Sequence, residues 1–162
     1  MNDEEPKREL AERKWLRHET PPWVDRDSVF FLTICVQDRD SSSLVDPRRG
    51  ERILEAARHY HDTRRWWMNL ILLMPDHVHC LVQFPDSDGT GNASMKKTVA
   101  NWKRYLAANE SIVWQKGFFD HRIRNSKSLR DKAHYIRQNP VRAELVARPE
   151  DWPYSGGAWD GW

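Results

Sequence analysis

The sequence predicts an α+β fold of the ferredoxin-like, split βαβ kind, an antiparallel sheet with helices on one face and one added C-terminal helix. Three observations predict it. Short apolar runs rich in β-branched and aromatic residues, at 29–37, 66–74 and 77–84, read as strands. Segments 50–65, 94–108 and 126–138 place apolar residues at helical spacing. With a fourth strand around 118–123, the chain order is strand, helix, strand, strand, helix, strand and then one further helix.

Residues 1–28 are charged and interrupted by Pro21 and Pro22, and read as an N-terminal arm with a short helix over 7–17. In the first strand Phe30, Leu32, Ile34 and Val36 share one face. The polar stretch 38–50, with Pro47 and Gly50, reads as a loop. The first helix then shows Ile53, Ala57 and Tyr60 on one stripe. Pro75 and Asp76 break the second strand from the third with a tight turn. The stretch PDSDGTGNA, 85–93, is a loop. The second helix carries Val99, Trp102 and Leu106 as its stripe, and the third carries Leu129, Ala133 and Ile136. The organisation predicted is an arm over 1–28, one catalytic domain over 29–148 and a Trp-rich tail over 149–162. In such a sheet the first two helices cover one face, and the other is left for the third helix or for nucleic acid. The fold alone does not choose between functions.

At 162 residues the chain fits one domain. No run approaches the ~18 apolar residues of a membrane span, and the acidic, polar start MNDEEPKREL is unlike a signal peptide. Cys35 and Cys80 both sit in apolar runs and read as reduced core thiols of a cytoplasmic protein. The net charge of +2 conceals an asymmetry. Residues 96–148 hold 13 Lys/Arg against four acids, a net of +9, and the remainder carries −7. A basic block inside a folded region suggests a polyanionic partner, and a solvated helical face is its rival explanation.

Alternation along the third strand turns Val78, Cys80, Val82 and Phe84 to the helix-covered core, and His77, His79, Leu81 and Gln83 to the other face. Two imidazoles at i and i+2 on one face make a bidentate site for a divalent metal. His-x-His is by itself a weak motif. No Cys-x-x-Cys pair completes a zinc site, and His121 is a stray candidate from the fourth strand. Among the four tyrosines, Tyr60 falls on an apolar stripe, Tyr105 lies beside Trp102 and Leu106, and Tyr154 is in the tail. Tyr135 differs, because at ~100° per residue it stands ~120° away from the apolar stripe of its helix. Asn139 is its i+4 neighbour. Asn139-Pro140 also reads as an N-cap and first-turn proline opening a short helix through Leu145. Capping and metal ligation use the same side-chain oxygen, and composition favours the cap.

Met74-Pro75-Asp76-His77-Val78-His79-Cys80 resembles the His-hydrophobic-His motif of the HUH endonuclease superfamily. WQKGFFDHRIRN at 114–125 and YIRQNPVRAELVARPEDWPYS at 135–155 resemble the C-terminal half of REP-associated tyrosine transposases, relatives of the single-tyrosine insertion-sequence transposases. The resemblance runs from about Val29 to Ser155. It implies that Tyr135 is the nucleophile, that His77 and His79 bind the metal, and that Asn139 completes the metal site, with Gln138 as its substitute. The implied reaction cleaves and rejoins single-stranded DNA near hairpins through a 5′-phosphotyrosine intermediate, with Mg²⁺ or Mn²⁺ as cofactor. On this reading Lys96, Lys97, Lys103 and Arg104 of the second helix, and Arg122, Arg124, Lys127, Arg130, Arg137 and Arg142 around the third, contact DNA phosphates. Trp102 and Tyr105 interleave with the first group and offer rings for base stacking, with core packing as their default role. The expected partner is single-stranded or hairpin DNA, with no membrane, as a monomer or homodimer, in the cytoplasm and on the nucleoid when bound. A non-catalytic hairpin-binding descendant and a rolling-circle replication initiator share parts of this pattern. An unrelated metal-dependent hydrolase is disfavoured for want of an acidic cluster.

Overall fold

The computed structural model describes residues 28–40, 43–85 and 94–162. The N-terminal arm, its expected 7–17 helix and most of the 85–93 loop lie outside the described residues. The elements are β1 (Phe30–Cys35), α1 (Pro47–Asp62), β2 (Trp67–Leu73), β3 (His77–Gln83), α2 (Ser94–Glu110), β4 (Phe119–Arg122), α3 (Ser126–Arg142) and β5 (Ser155–Gly156). The sheet order is β4-β1-β3-β2-β5, antiparallel at every pairing. This is the predicted α+β architecture with one strand more than expected.

Side-chain alternation divides the interior in two. Phe30, Leu32 and Ile34 of β1, with Val78, Cys80 and Val82 of β3, point to one face and are closed over by α1 and α2. Ile53, Ala57 and Tyr60 come from α1, and Met95, Val99, Trp102 and Leu106 from α2. Trp102 is fully buried there, beside Trp66 with ring centroids 5.5 Å apart. It is therefore core, and base stacking by Trp102 is ruled out. The other face holds Phe31, Leu70, Leu72 and Leu81, covered by Ala133 and Ile136 of α3 and by Trp152. The face left open in the sequence reading thus takes the third helix.

Three boundaries differ from expectation for local reasons. Helix α1 begins at Pro47 because Asp46 caps it, its carboxylate accepting from the Arg49 N–H at 3.1 Å, with proline at the first helical position. Helix α3 does not stop before Pro140 but runs through it to Arg142, so the short second helix through Leu145 is replaced by a C-terminal turn with Glu144 at φ 57°. Pro140 has no N–H for the Ile136 carbonyl. The Asn139 side-chain amide stands in, donating to Ile136 O at 3.3 Å and to Tyr135 O at 3.0 Å. Asn139 is accordingly a residue of the helix interior, not an N-cap. Finally, the segment after α3 adds β5 to the β2 edge, pairing Gly156 with Ile71 and Ser155 with Leu72. Trp152 anchors that segment by donating its indole N–H to Leu73 O at 2.9 Å. Gly157, at φ 131°, passes so close to the bulged Asn69 backbone that a Cβ there would lie 2.4 Å from Asn69 O.

Candidate active site

The turn at Pro75-Asp76 delivers His77 and His79 to the first residues of β3, on the α3 side of the sheet. In register, His77 stands beside Cys35 and His79 beside Thr33. Their Nε2 atoms face each other at 3.1 Å. Both outer nitrogens are engaged. His77 Nδ1 donates to Asp76 Oδ1 at 2.6 Å, and the second Asp76 oxygen holds the Arg39 guanidinium in an ion pair. His79 Nδ1 and Thr33 Oγ1 are 3.1 Å apart. Burial acts to raise the Asp76 carboxyl pKa, but the hydrogen bonds from Arg39 and His77 outweigh it and hold the group below the usual carboxylate range. His79 is 5% exposed. Burial, joined by the charges of His77 and Lys132, pushes its imidazole down to about 3, so it is neutral at physiological pH.

These features suit a divalent cation. Two ligands ~2.1 Å from one ion and at a right angle stand ~3.0 Å apart, close to the separation of the two Nε2 atoms. A carboxylate on Nδ1 fixes the tautomer that leaves Nε2 its lone pair. No group of three or more His, Cys, Asp or Glu able to hold a metal occurs among the described residues, so any third protein donor would be of another residue type. Asn139 lines the cleft of about 430 Å³ that also contains Asp76, His77 and Arg142. With its NH₂ end turned back onto the helix carbonyls, its Oδ1 end is left for other partners. Gln138 is not among the residues lining that cleft.

Tyr135 projects from α3 over the same place. Its ring centroid is 6.2 Å from that of His79, and the side chain is 39% exposed. Two cations flank the ring, Lys132 Nζ at 5.1 Å and the Arg142 guanidinium at 5.2 Å from its centroid. Tyr60 is buried in the α1 core, Tyr154 packs against Trp152, and Tyr105 is exposed on α2, on the far side of the sheet. His121 is exposed on β4 and does not line the His77 cleft.

The basic residues divide. Arg122 and Arg124 line a cleft at the start of α3, Lys127 and Arg130 are exposed on α3, and Arg142 borders Tyr135. Arg137 is paired with Asp160 at 2.7 Å. Lys96, Lys97 and Arg104 are exposed on α2, beyond the sheet from Tyr135. Lys103 holds the loop before β4, its ammonium donating to Gln115 O and Gly117 O, both at 2.8 Å. Burial lowers its pKa. The structure adds Lys132, Thr33 and the Arg39–Asp76 pair, which the sequence reading passed over. Lys132 had a signal, since it lies three residues before Tyr135 and hence on the same helix face. Thr33 and Arg39 had none, because they meet the histidines through strand pairing and a loop.

No family model matches the chain. It is 31% identical over 144 residues to a Haemophilus influenzae protein named a REP-associated tyrosine transposase, covering 80% of each chain. It is 27% identical over 132 residues to the Escherichia coli REP-associated tyrosine transposase, covering 80% of this chain and 76% of the other. Its fold is similar to that of a REP-associated tyrosine transposase solved bound to a REP hairpin, with a TM-score of 0.67 over 88% of this chain and 81% of that one, at 24% identity.

Proposed function

The chain belongs to the REP-associated tyrosine transposase family, and from that premise we propose that it is a single-strand DNA transesterase in which Tyr135 is the nucleophile, acting on DNA beside hairpins such as the one its structural relative binds. One observation carries this reading. The exposed tyrosine of α3 stands 6.2 Å, ring to ring, from a histidine whose Nε2 faces that of a second histidine.

In the proposed reaction the Tyr135 oxygen forms a bond to phosphorus and the bond from phosphorus to the 3′ oxygen breaks. The phenol loses its proton and the departing 3′ oxygen gains one. The products are a 5′-phosphotyrosine and a free 3′-hydroxyl, and the phosphotyrosine retains the capacity to rejoin another strand. Phenols keep their proton in neutral water, so the step needs electrostatic help. Lys132 and Arg142, on either side of the ring, place positive charge where the phosphate must sit. His77, His79 and Asn139 would hold Mg²⁺ or Mn²⁺, which when bound supplies charge neutralisation at a non-bridging phosphate oxygen. Arg39 and Asp76 orient His77, and Thr33 orients His79. Arg122, Arg124, Lys127 and Arg130 extend positive charge along the α3 side toward the DNA backbone.

The test is incubation with labelled hairpin DNA carrying unpaired flanks, with Mn²⁺, followed by a denaturing gel. A covalent protein–DNA adduct mapping to the peptide with Tyr135 is expected. An adduct on any other tyrosine would defeat the assignment.

A further inference from the structure

Edge strand β4 exposes a large aromatic side chain beside this site, and the proposed reaction does not use it. Phe119 is 49% exposed. It is the register partner of Thr33, and Thr33 is in turn the partner of His79. Register partners in antiparallel strands face the same side, so Phe119, Thr33 and His79 form a row across the sheet. Two strand spacings of ~4.8 Å put Phe119 ~10 Å from His79 along that row. The rings also run without a gap. Phe119 meets Phe31 edge to face at 6.1 Å, Phe31 lies 5.3 Å from His79, and His79 lies 6.2 Å from Tyr135. Lys132 Nζ bridges two rings of this ladder, 4.6 Å from the Phe31 ring and 5.1 Å from the Tyr135 ring.

Single exposed apolar residues are ordinary. Phe119 is set apart by its surroundings, an exposed ring at the end of an aromatic row, a lysine above that row and the nucleophile at its other end. An unpaired nucleotide asks for this combination, a π surface for the base and a cation for the phosphate. A base inside a duplex cannot use it, because both its faces are already stacked. We infer that Phe119 and Lys132 form a subsite for the unpaired nucleotide next to the scissile phosphate, Phe119 stacking on the base and Lys132 meeting the phosphate between that base and Tyr135. The inference rests on the single-strand reading above and names where the strand runs, across β1 toward β4 and not over α2.

The experiment uses the full chain in a Tyr135→Phe background, so that nothing is cut. The probe is a hairpin oligonucleotide with an unpaired flank in which one 2-aminopurine is moved position by position. With Phe119 intact, fluorescence should be quenched at one position of the flank. Phe119→Leu keeps apolar bulk against Phe31 and removes the ring. It should abolish that quench and weaken binding of the flanked hairpin about tenfold, while a hairpin without flanks binds as before. Phe119→Trp should restore both. Lys132→Met should lower the salt dependence of flanked-hairpin binding by about one unit of slope, and Lys132→Arg should restore it. Unaltered quenching in Phe119→Leu overturns the subsite. So does an equal loss of affinity for hairpins with and without flanks, which would show a structural role for Phe119. Failure of the chain with Tyr135 to form an adduct would defeat the transesterase reading while leaving the quench intact, so the two failures are distinguishable.

Discussion

The two faces of one sheet set the same strands to different work. On the α1/α2 face β3 contributes Val78, Cys80 and Val82, all fully buried, and the neighbours are apolar throughout. On the α3 face the same strand contributes His77, His79 and Leu81. Apolar packing there runs from Trp152 and β2 across to Phe31, Ile123 and Leu129, and it shares the face with imidazoles, a carboxylate and two cations. The lesson is one of division. Stability resides chiefly in the closed face, so that the partly covered face can keep polar groups close together and an exposed tyrosine above them. Cys80 and Cys35 show the contrast in one residue type. Burial pushes the Cys80 thiol pKa well up, whereas Cys35, next to His77, is only partly buried and is not part of the core.

The sharpest way to break this comparison is Tyr135→Phe. Removing one oxygen from the open face should eliminate the covalent adduct completely and leave the melting temperature and hairpin affinity unchanged. Residual adduct in that variant would mean that the chemistry lies elsewhere. His77→Ala and His79→Ala should each reduce cleavage by ~10²-fold or more and weaken Mn²⁺ binding measured by calorimetry. They should differ in stability. His79 is buried and His77 less so, so only His79→Ala should lower the melting temperature measurably, and an equal fall in both would contradict the burial described above. On the closed face Trp102→Ala should destabilise the fold by ~3–5 kcal/mol in urea titrations. A change in DNA binding at constant folded fraction would show that Trp102 touches nucleic acid after all. The smallest effects concern charge. Arg124→Ala should reduce the salt slope of DNA binding by about 1. Lys103→Met should leave the slope alone and cost stability instead, because its ammonium is bound to two loop carbonyls. Equal slopes in these two variants would remove the distinction between site-side and structural cations.

Much of the site was legible because its parts are local. The alternation of β3 places His77 and His79 together whatever lies next to them, and helical periodicity alone turns Tyr135 away from Leu129, Ala133 and Ile136. Asn139 was harder. A residue before proline usually leaves the helical region, yet here the helix continues, with Pro140 buried and the Asn139 amide on the Ile136 carbonyl. Without that continuity Asn139 would not line the cleft with His77.

The sequence by itself therefore determined the order and type of the main elements through α3, and which side chains share a strand face or a helix face. These follow from periods of two and 3.6 residues, which need no partner to be read. Tertiary structure alone decided that α3 closes over the histidine face, that Arg39 reaches Asp76 and that Thr33 meets His79. It also decided that the Trp-rich segment adds a fifth strand and that the basic residues of α2 lie across the sheet from Tyr135. The physical reason is common to all of these. Strand register, helix docking and ion pairing are contacts between residues far apart in the chain, and they are set by which surfaces can be buried together, a quantity no local pattern contains.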